Sequence, residues 1–217
     1  MKIEVMKNIL GENDKIADEN RKLFDEKNVR VINLMGSPGS GKTSLLEKTI
    51  AKLKNEINIA VVEGDLFTAK DAERIERHGV DVVQINTSGG CHLDAAMVKR
   101  AVQSLNLDAL DLIIVENVGN LVCPAEFDVG EHEKVVVLSI TEGDDKPLKY
   151  PLIFKESAVA ILNKVDILPF TNFDMQSARD DLTALNPQIK IIETSCTKDT
   201  GIDIWIDWLK SFVKAKC

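Results

Sequence analysis

The chain has 217 residues, 44% hydrophobic and 29% charged, which is enough apolar material for a packed core and excludes global disorder. At about 150 residues per domain, this length suits one α/β domain rather than two. Acidic residues exceed basic ones, 35 to 27, for a formal net charge of −8; a protein that coats nucleic acid needs the opposite balance, whereas a nucleotide needs only one local site.

The start, Met1 to Asn8, carries charge where a signal peptide needs an apolar stretch, and no apolar run approaches the roughly 20 residues that span a bilayer. A cytoplasmic chain that does not enter a membrane is expected. Residues 13–27 are rich in charge, with Ile16, Ala17, Asn20 and Leu23 loosely on one side, the pattern of an amphipathic helix. Residues 1–28 are therefore assigned to a helix packed on the outside, and residues 29–217 to the domain itself. Short β-branched runs follow at residues 29–35, 57–62, 80–85, 110–115, 134–140, 158–162 and 189–192, several apolar almost throughout. Helical patterns lie between many of them, at 42–54, 69–78, 93–104 and 174–185, and a last one at 202–214 closes the chain. Alternating strands and helices predict β-α-β units and a mostly parallel, about seven-stranded sheet between two helical layers. In such sheets ligands bind beyond the carboxyl ends of the strands.

After the first run comes Gly36-Ser37-Pro38-Gly39-Ser40-Gly41-Lys42-Thr43, followed by Ser44. This is the G-x-x-x-x-G-K-[ST] phosphate loop, placed between a strand and a helix as its mechanism requires. Its glycines let successive N–H groups converge on phosphate oxygens, and the next helix adds its N-terminal partial charge. Lys42 is expected on the β- and γ-phosphates and Thr43 on Mg²⁺. The predicted fold class is thus the three-layer α/β/α P-loop NTPase. The sixth run ends in Asn163-Lys164-Val165-Asp166, and N-K-x-D after a buried strand resembles the guanine-selecting motif of P-loop GTPases. A carboxylate accepts from guanine N1–H and N2–H₂, a donor pair that adenine lacks, so GTP is the expected nucleotide. Asp166 is then the discriminator, Asn163 the brace and the Lys164 stem the cover. Ser195-Cys196-Thr197 follows the seventh run, where GTPases commonly place a backbone contact to the base.

Mg²⁺ prefers hard oxygen ligands. Glu63-Gly64-Asp65 follows the second run and Glu116-Asn117-Val118-Gly119-Asn120 the fourth, with Thr68 and Asp71–Ile75 nearby in sequence. Glu116 stands at the Walker-B position, and Asp65 is a candidate for orienting water or a metal-bound water. Gly119 is positioned to offer its N–H to the γ-phosphate as a switch. The alternative for Glu63 and Asp65 is to cap the next helix. No arginine finger or catalytic glutamine is evident, which implies slow turnover.

The third run leads into Gly89-Gly90-Cys91-His92-Leu93-Asp94, and Cys123 lies four residues after Gly119. Thiolate and imidazole suit Zn²⁺ or Ni²⁺. The spacing is equally compatible with a small buried Cys91 and a helix-capping His92. Three side chains leave one position open, which two subunits can fill across a two-fold axis. The four cysteines, with Cys196 and Cys217, contain no C-x-x-C pair and read as free thiols.

Taken together, residues 37–43, Glu63-Gly64-Asp65, residues 71–75, residues 90–95, residues 116–124, residues 146–151 (Lys-Pro-Leu-Lys-Tyr-Pro) and residues 163–166 resemble the hydrogenase nickel-incorporation GTPases, the HypB family. The resemblance runs from about Ile16 to the final helix. It implies a GTPase with a nucleotide-dependent homodimer and a Zn²⁺ or Ni²⁺ site at Cys91, His92 and Cys123 near the dimer interface. It also implies a HypA-like zinc-containing partner and a hydrogenase large-subunit precursor as client. Residues 1–28 contain neither Cys nor His, unlike the nickel-binding N-termini of many members, and no lysine precedes Gly90 where many members carry one. Competing readings are a related GTPase serving urease or a cobalamin enzyme, a P-loop small-molecule kinase, and a metal-binding module with vestigial nucleotide binding.

Overall fold

A computed structural model describes residues 2–65 and 70–215, with side chains from residue 10 onward. Thr68, the predicted helix start at Ala69, and Cys217 lie outside the described residues. The strands are β1 (Arg30–Gly36), β2 (Ile59–Asp65), β3 (Asp81–Asn86), β4 (Leu112–Glu116), β5 (Glu133–Ser139), β6 (Val159–Asn163) and β7 (Lys190–Thr194). They form a seven-stranded sheet in the order β3-β2-β4-β1-β5-β6-β7, and every pairing is parallel. The helices are α1 (Lys2–Glu26), α2 (Lys42–Leu53), α3 (Lys70–Glu76), α4 (Ala95–Val102), α5 (Cys123–Glu126), α6 (Lys146–Lys149), α7 (Pro151–Lys155), α8 (Met175–Leu185) and α9 (Ile202–Lys214). This is the predicted α/β/α P-loop fold.

The near-continuous apolar runs are explained by a core on each side of the sheet. Ile32, Leu34, Val61, Ile114, Val137 and Ile161 point to one face, where Leu46 and Ile50 of α2 and Trp205 and Leu209 of α9 cover them. Alternate residues serve the other face. Val31, Val62 and Val115 pack under α1 and α4, while Met35, Val136 and Leu162 pack under α7 and α8. Period-two alternation thus feeds two apolar faces, as a parallel sheet covered on both sides requires.

Helix α1 docks through a face that overlaps the predicted one and is rotated from it. Ala17 and Asn20 of the predicted set are buried, as is Phe24, while Ile16 and Leu23 sit at the rim. Two asparagines complete the buried stripe. Asn13 donates to Asp128 O and accepts from Ala95 N. Asn20 donates to both Ala95 O and Val129 O. Their amide NH₂ groups and the Asn13 oxygen match backbone groups of the α4 N-terminus and the 128–129 loop, which lets polar residues occupy the inner face, while Asn20 Oδ1 is buried without a partner. Asp94, and not His92, caps α4, its carboxylate accepting from Met97 N at 2.7 Å. Among the described residues, no helix is long and apolar enough to cross a membrane.

Candidate functional site

The phosphate loop leaves β1 at Gly36, and its backbone demands the glycines it has. Gly36 and Gly41 have φ of 150° and 100°. A Cβ on Gly36 would lie 2.3 Å from Val137 O, and one on Gly41 would lie 2.3 Å from Asn163 Nδ2, closer than any side chain tolerates. Lys42 donates to Gly36 O and Ser37 O, which sets its ammonium over the loop. Thr43 Oγ1 donates to Glu116 Oε1 at 2.8 Å. Pro38, Gly39 and Ser44 help line a cavity of about 420 Å³ together with Lys42, Asp65 and Gly119. Ser40 is buried beneath it.

Two strands run further than the apolar pattern indicated. Glu63 lies within β2 and Glu116 ends β4, and the two residues stand directly opposite in register. Both are 3% exposed. Burial and the neighbouring Glu116 charge push the Glu63 carboxyl up to about 10, and burial raises Glu116 as well. One oxygen of each, Glu63 Oε2 and Glu116 Oε2, is buried without a hydrogen-bond partner. Strand register thus replaces the helix-cap alternative for Glu63. Asp71 and Arg74 also reach the cavity, and Arg74 is held there by Glu47 Oε2 at 2.6 Å and Asp71 Oδ1 at 2.8 Å.

The base-side motif is brought to the same loop. Asn163 Nδ2 donates to Ser40 O at 2.9 Å, and Lys164 Nζ to Gly39 O at 2.6 Å. Lys164 adopts a left-handed φ of 67°, which aims its stem along the phosphate loop. Ser195 Oγ donates to Asp166 Oδ1 at 2.6 Å and so fixes the carboxylate. Asn163, Lys164, Asp166, Cys196 and Thr197 line a second cavity of about 190 Å³, adjoining the first through Gly41 and Ser44. Burial pushes the Cys196 thiol up to about 11.

Cys91, His92 and Cys123 converge, with their ligand atoms all within 4.8 Å of one another. Cys91 Sγ lies 3.0 Å from Cys123 Sγ and 3.6 Å from His92 Nδ1. His92 stacks on Phe127 at 3.8 Å, and burial lowers its pKa, which favours the neutral imidazole that a metal needs. The Cys91 thiol and burial raise Cys123, a condition that a bound cation reverses. The small buried cysteine of the alternative reading is absent, since Cys91 is exposed. Gly119 joins the two sites: a Cβ there would meet Pro38 at 2.8 Å, so the loop that ends in Cys123 lies directly on the phosphate loop.

Comparisons with known proteins agree with this layout. Residues 30–193 match the CobW/HypB/UreG nucleotide-binding domain. Hydrogenase maturation factor HypB of Escherichia coli is 48% identical over 209 residues, covering 96% of this chain and 72% of that protein. The chain belongs to the HypB family of hydrogenase maturation factors. A probable HypB of Methanocaldococcus jannaschii is 42% identical, with 98% and 96% of the two chains covered. HypB of Archaeoglobus fulgidus superposes with a TM-score of 0.88 at 39% identity, covering 94% of this chain and 99% of that one. HypB of Helicobacter pylori, solved in complex with nickel, gives 0.89 at 36% identity, covering 94% and 95%. Signal recognition particle receptors such as FtsY of Elizabethkingia anophelis share the HypB fold alone, at 19% identity and a TM-score of 0.56.

Within this HypB frame, Glu63 and Arg74 gain placements that the words containing them do not specify: Glu63 pairs in register with Glu116, and Arg74 is held at the cavity by Glu47 and Asp71, a placement set by the packing of α3 against α2.

Proposed function

We propose that the chain is a GTP-hydrolysing metallochaperone that helps insert nickel during [NiFe]-hydrogenase maturation, its GTP-dependent dimerisation coupled to the Cys91, His92 and Cys123 site. The observation that carries this reading is the continuity of the two sites. One loop packs Gly119 on Pro38 and four residues later delivers Cys123 to Cys91. Motion at the γ-phosphate therefore moves a metal ligand.

Lys42 binds and orients the β- and γ-phosphates, and the Gly119 backbone senses the γ-phosphate. Asp166, held by Ser195, selects guanine, while Asn163 and Lys164 tie base recognition to the phosphate loop. Asp65 lines the phosphate cavity, where it orients water. The orphaned oxygens of Glu63 and Glu116 beside Thr43 fit a hard divalent cation, so Thr43 and Glu116 would hold Mg²⁺, with Asp65 on a metal-bound water. When bound, Mg²⁺ neutralises charge on the β- and γ-phosphates.

Two thiols and an imidazole suit Ni²⁺ as cargo or Zn²⁺. Three donors leave a coordination position that a second copy completes in a homodimer. Family membership supports a HypA-like chaperone and the hydrogenase large-subunit precursor as partners.

Light scattering with parallel metal analysis, on samples with GDP and with a slowly hydrolysed GTP analogue, tests the reading. A dimer only with the analogue, whose metal disappears in Cys91→Ala and Cys123→Ala, is expected. A metal-free monomer with both nucleotides overturns it.

A further inference from the structure

A buried chain of amides runs beneath both sites. Asn117 Oδ1 accepts from two backbone N–H groups at 3.0 Å each, Leu93 N beside the Cys91-His92 pair and Val118 N beside Gly119. Asn117 Nδ2 donates to Asn33 Oδ1 at 3.1 Å. Asn33 Nδ2 in turn donates to Glu131 Oε1 at 3.2 Å, and Glu131 Oε2 accepts from Val129 N at 2.7 Å. Asn33, Asn117 and Glu131 are 0%, 1% and 5% exposed.

The chain has a fixed direction. Asn117 Oδ1 is held by two backbone N–H groups, so its NH₂ faces Asn33. Asn33 must then present its carbonyl to Asn117 and its NH₂ to Glu131. Flipping either amide places like against like in a buried setting and leaves donors unpaired. Each end of the forked contact touches a different site. Leu93 is fully buried and lies against Gly64, where a Cβ would meet its Cδ1 at 2.8 Å, between Glu63 and Asp65. Val118 precedes the glycine that lies on Pro38.

We propose that Asn117 is the positioning residue that couples the metal site to the nucleotide, with Asn33 and Glu131 locking its orientation. One carbonyl oxygen holds the backbone of both loops, so a shift of the 117–120 segment on nucleotide exchange releases or drags Leu93 and with it the Cys91-His92 pair. A second, more exposed link runs alongside: Asn120 N donates to Gly36 O and Asn120 Nδ2 to Cys91 O. The inference rests on the coupled metallochaperone reading above.

The test measures Zn²⁺ affinity by competition with a chromophoric chelator, under saturating GDP and under saturating slowly hydrolysed GTP analogue. Linkage predicts that the wild type differs by about fivefold or more between the two states. Asn33→Ala touches neither site, yet it leaves Asn117 Nδ2 without its buried acceptor and unties Asn117 from Glu131. It is expected to bring that ratio within about twofold of unity at unchanged Zn²⁺ stoichiometry, a loss of coupling rather than of binding. Glu131→Gln, which supplies one acceptor where two are used, is expected to lower the ratio less. A wild-type ratio kept in both variants overturns the inference and leaves the proposed function standing. A wild-type ratio of unity defeats the coupled reading and this inference with it. If Asn33→Ala does not fold, hydrogen exchange on the wild type decides: the Leu93 and Val118 amides must change protection together between the nucleotide states, and independent change overturns the proposal.

Discussion

In the nucleotide cradle, Lys42, Thr43, Glu63 and Glu116 are each at most 9% exposed, whereas in the metal cluster Cys91 is exposed and His92 and Cys123 are half-buried. The cradle is positioned by backbone: strand register sets Glu63 against Glu116, and Gly36 lies too close to Val137 O for any side chain. The cluster is positioned by side chains, through Asn117 on Leu93 and Asn120 on Cys91. A backbone-built site is preorganised and holds its shape. A site hung on loop hydrogen bonds can change its donor geometry at small cost, which fits the proposed role of holding a metal as cargo.

The sharpest way to break this contrast is at Asp166. On the proposed reading, Asp166→Asn removes the carboxylate that would accept twice from guanine, and bonds to charged groups contribute about 1.5–3 kcal/mol each. GTP affinity should fall by about 100-fold or more, and xanthosine triphosphate should become the better competitor, because xanthine presents a carbonyl where guanine presents N2–H₂. Unchanged base preference in a competition assay would place the base outside this cavity. Cys123→Ala probes the other site. Loss of one donor of three should abolish stoichiometric Zn²⁺ binding, while GDP affinity by calorimetry stays within about threefold, as expected for separate sites with weak ground-state coupling. An equal loss at both sites would mean that they are one structural unit.

Leu93→Ala tests the join. Removing a fully buried leucine side chain costs about 2–5 kcal/mol, read as a lower urea midpoint at unchanged slope. Zn²⁺ binding should weaken with it, since Leu93 anchors Cys91 and His92 against Gly64. Weakened stability with intact Zn²⁺ affinity would separate the anchor from the ligands.

Legibility in the sequence follows the same division. The phosphate loop and Asn163-Lys164-Val165-Asp166 are contiguous words whose spacing carries their chemistry, so they were readable one by one. The metal set is legible only through the family resemblance, because it is the topology that brings Cys123, after β4, to Cys91, after β3, and the spacing alone leaves the buried-cysteine alternative open. Glu63 was placed beyond its strand because apolarity ends at Val62, while parallel pairing continues to Asp65. On α1 the face read from the sequence contains the buried Ala17 and Asn20 but also the rim residues Ile16 and Leu23, and it leaves out Asn13, whose amide reaches backbone partners. Periodicity counts apolar side chains and is blind to amides buried by hydrogen bonding.

The smallest effect lies under both sites. Burial and the Asp128 carboxylate push Glu131 up to about 7, against an unfolded carboxyl near its ordinary 4.5. Between those values the folded chain holds a proton that the unfolded chain has released. The stability from this group is therefore complete below pH 4.5 and lost as pH rises through about 7. Other groups titrate in the same window. His92 and His132, both lowered by burial, act with the opposite sign, and Glu63 acts with the same sign, so the wild-type profile alone does not isolate Glu131. The difference between wild type and Glu131→Gln does. Urea unfolding at pH 5, 6 and 7 should show the wild type losing up to about 1.4 kcal/mol per pH unit relative to the variant, the slope of one proton. Parallel profiles would mean that Glu131 is ionised throughout. It would then hold Asn33 by a full charge at every pH, which makes the amide relay stiffer and the metal loops less adjustable than the contrast with the cradle requires.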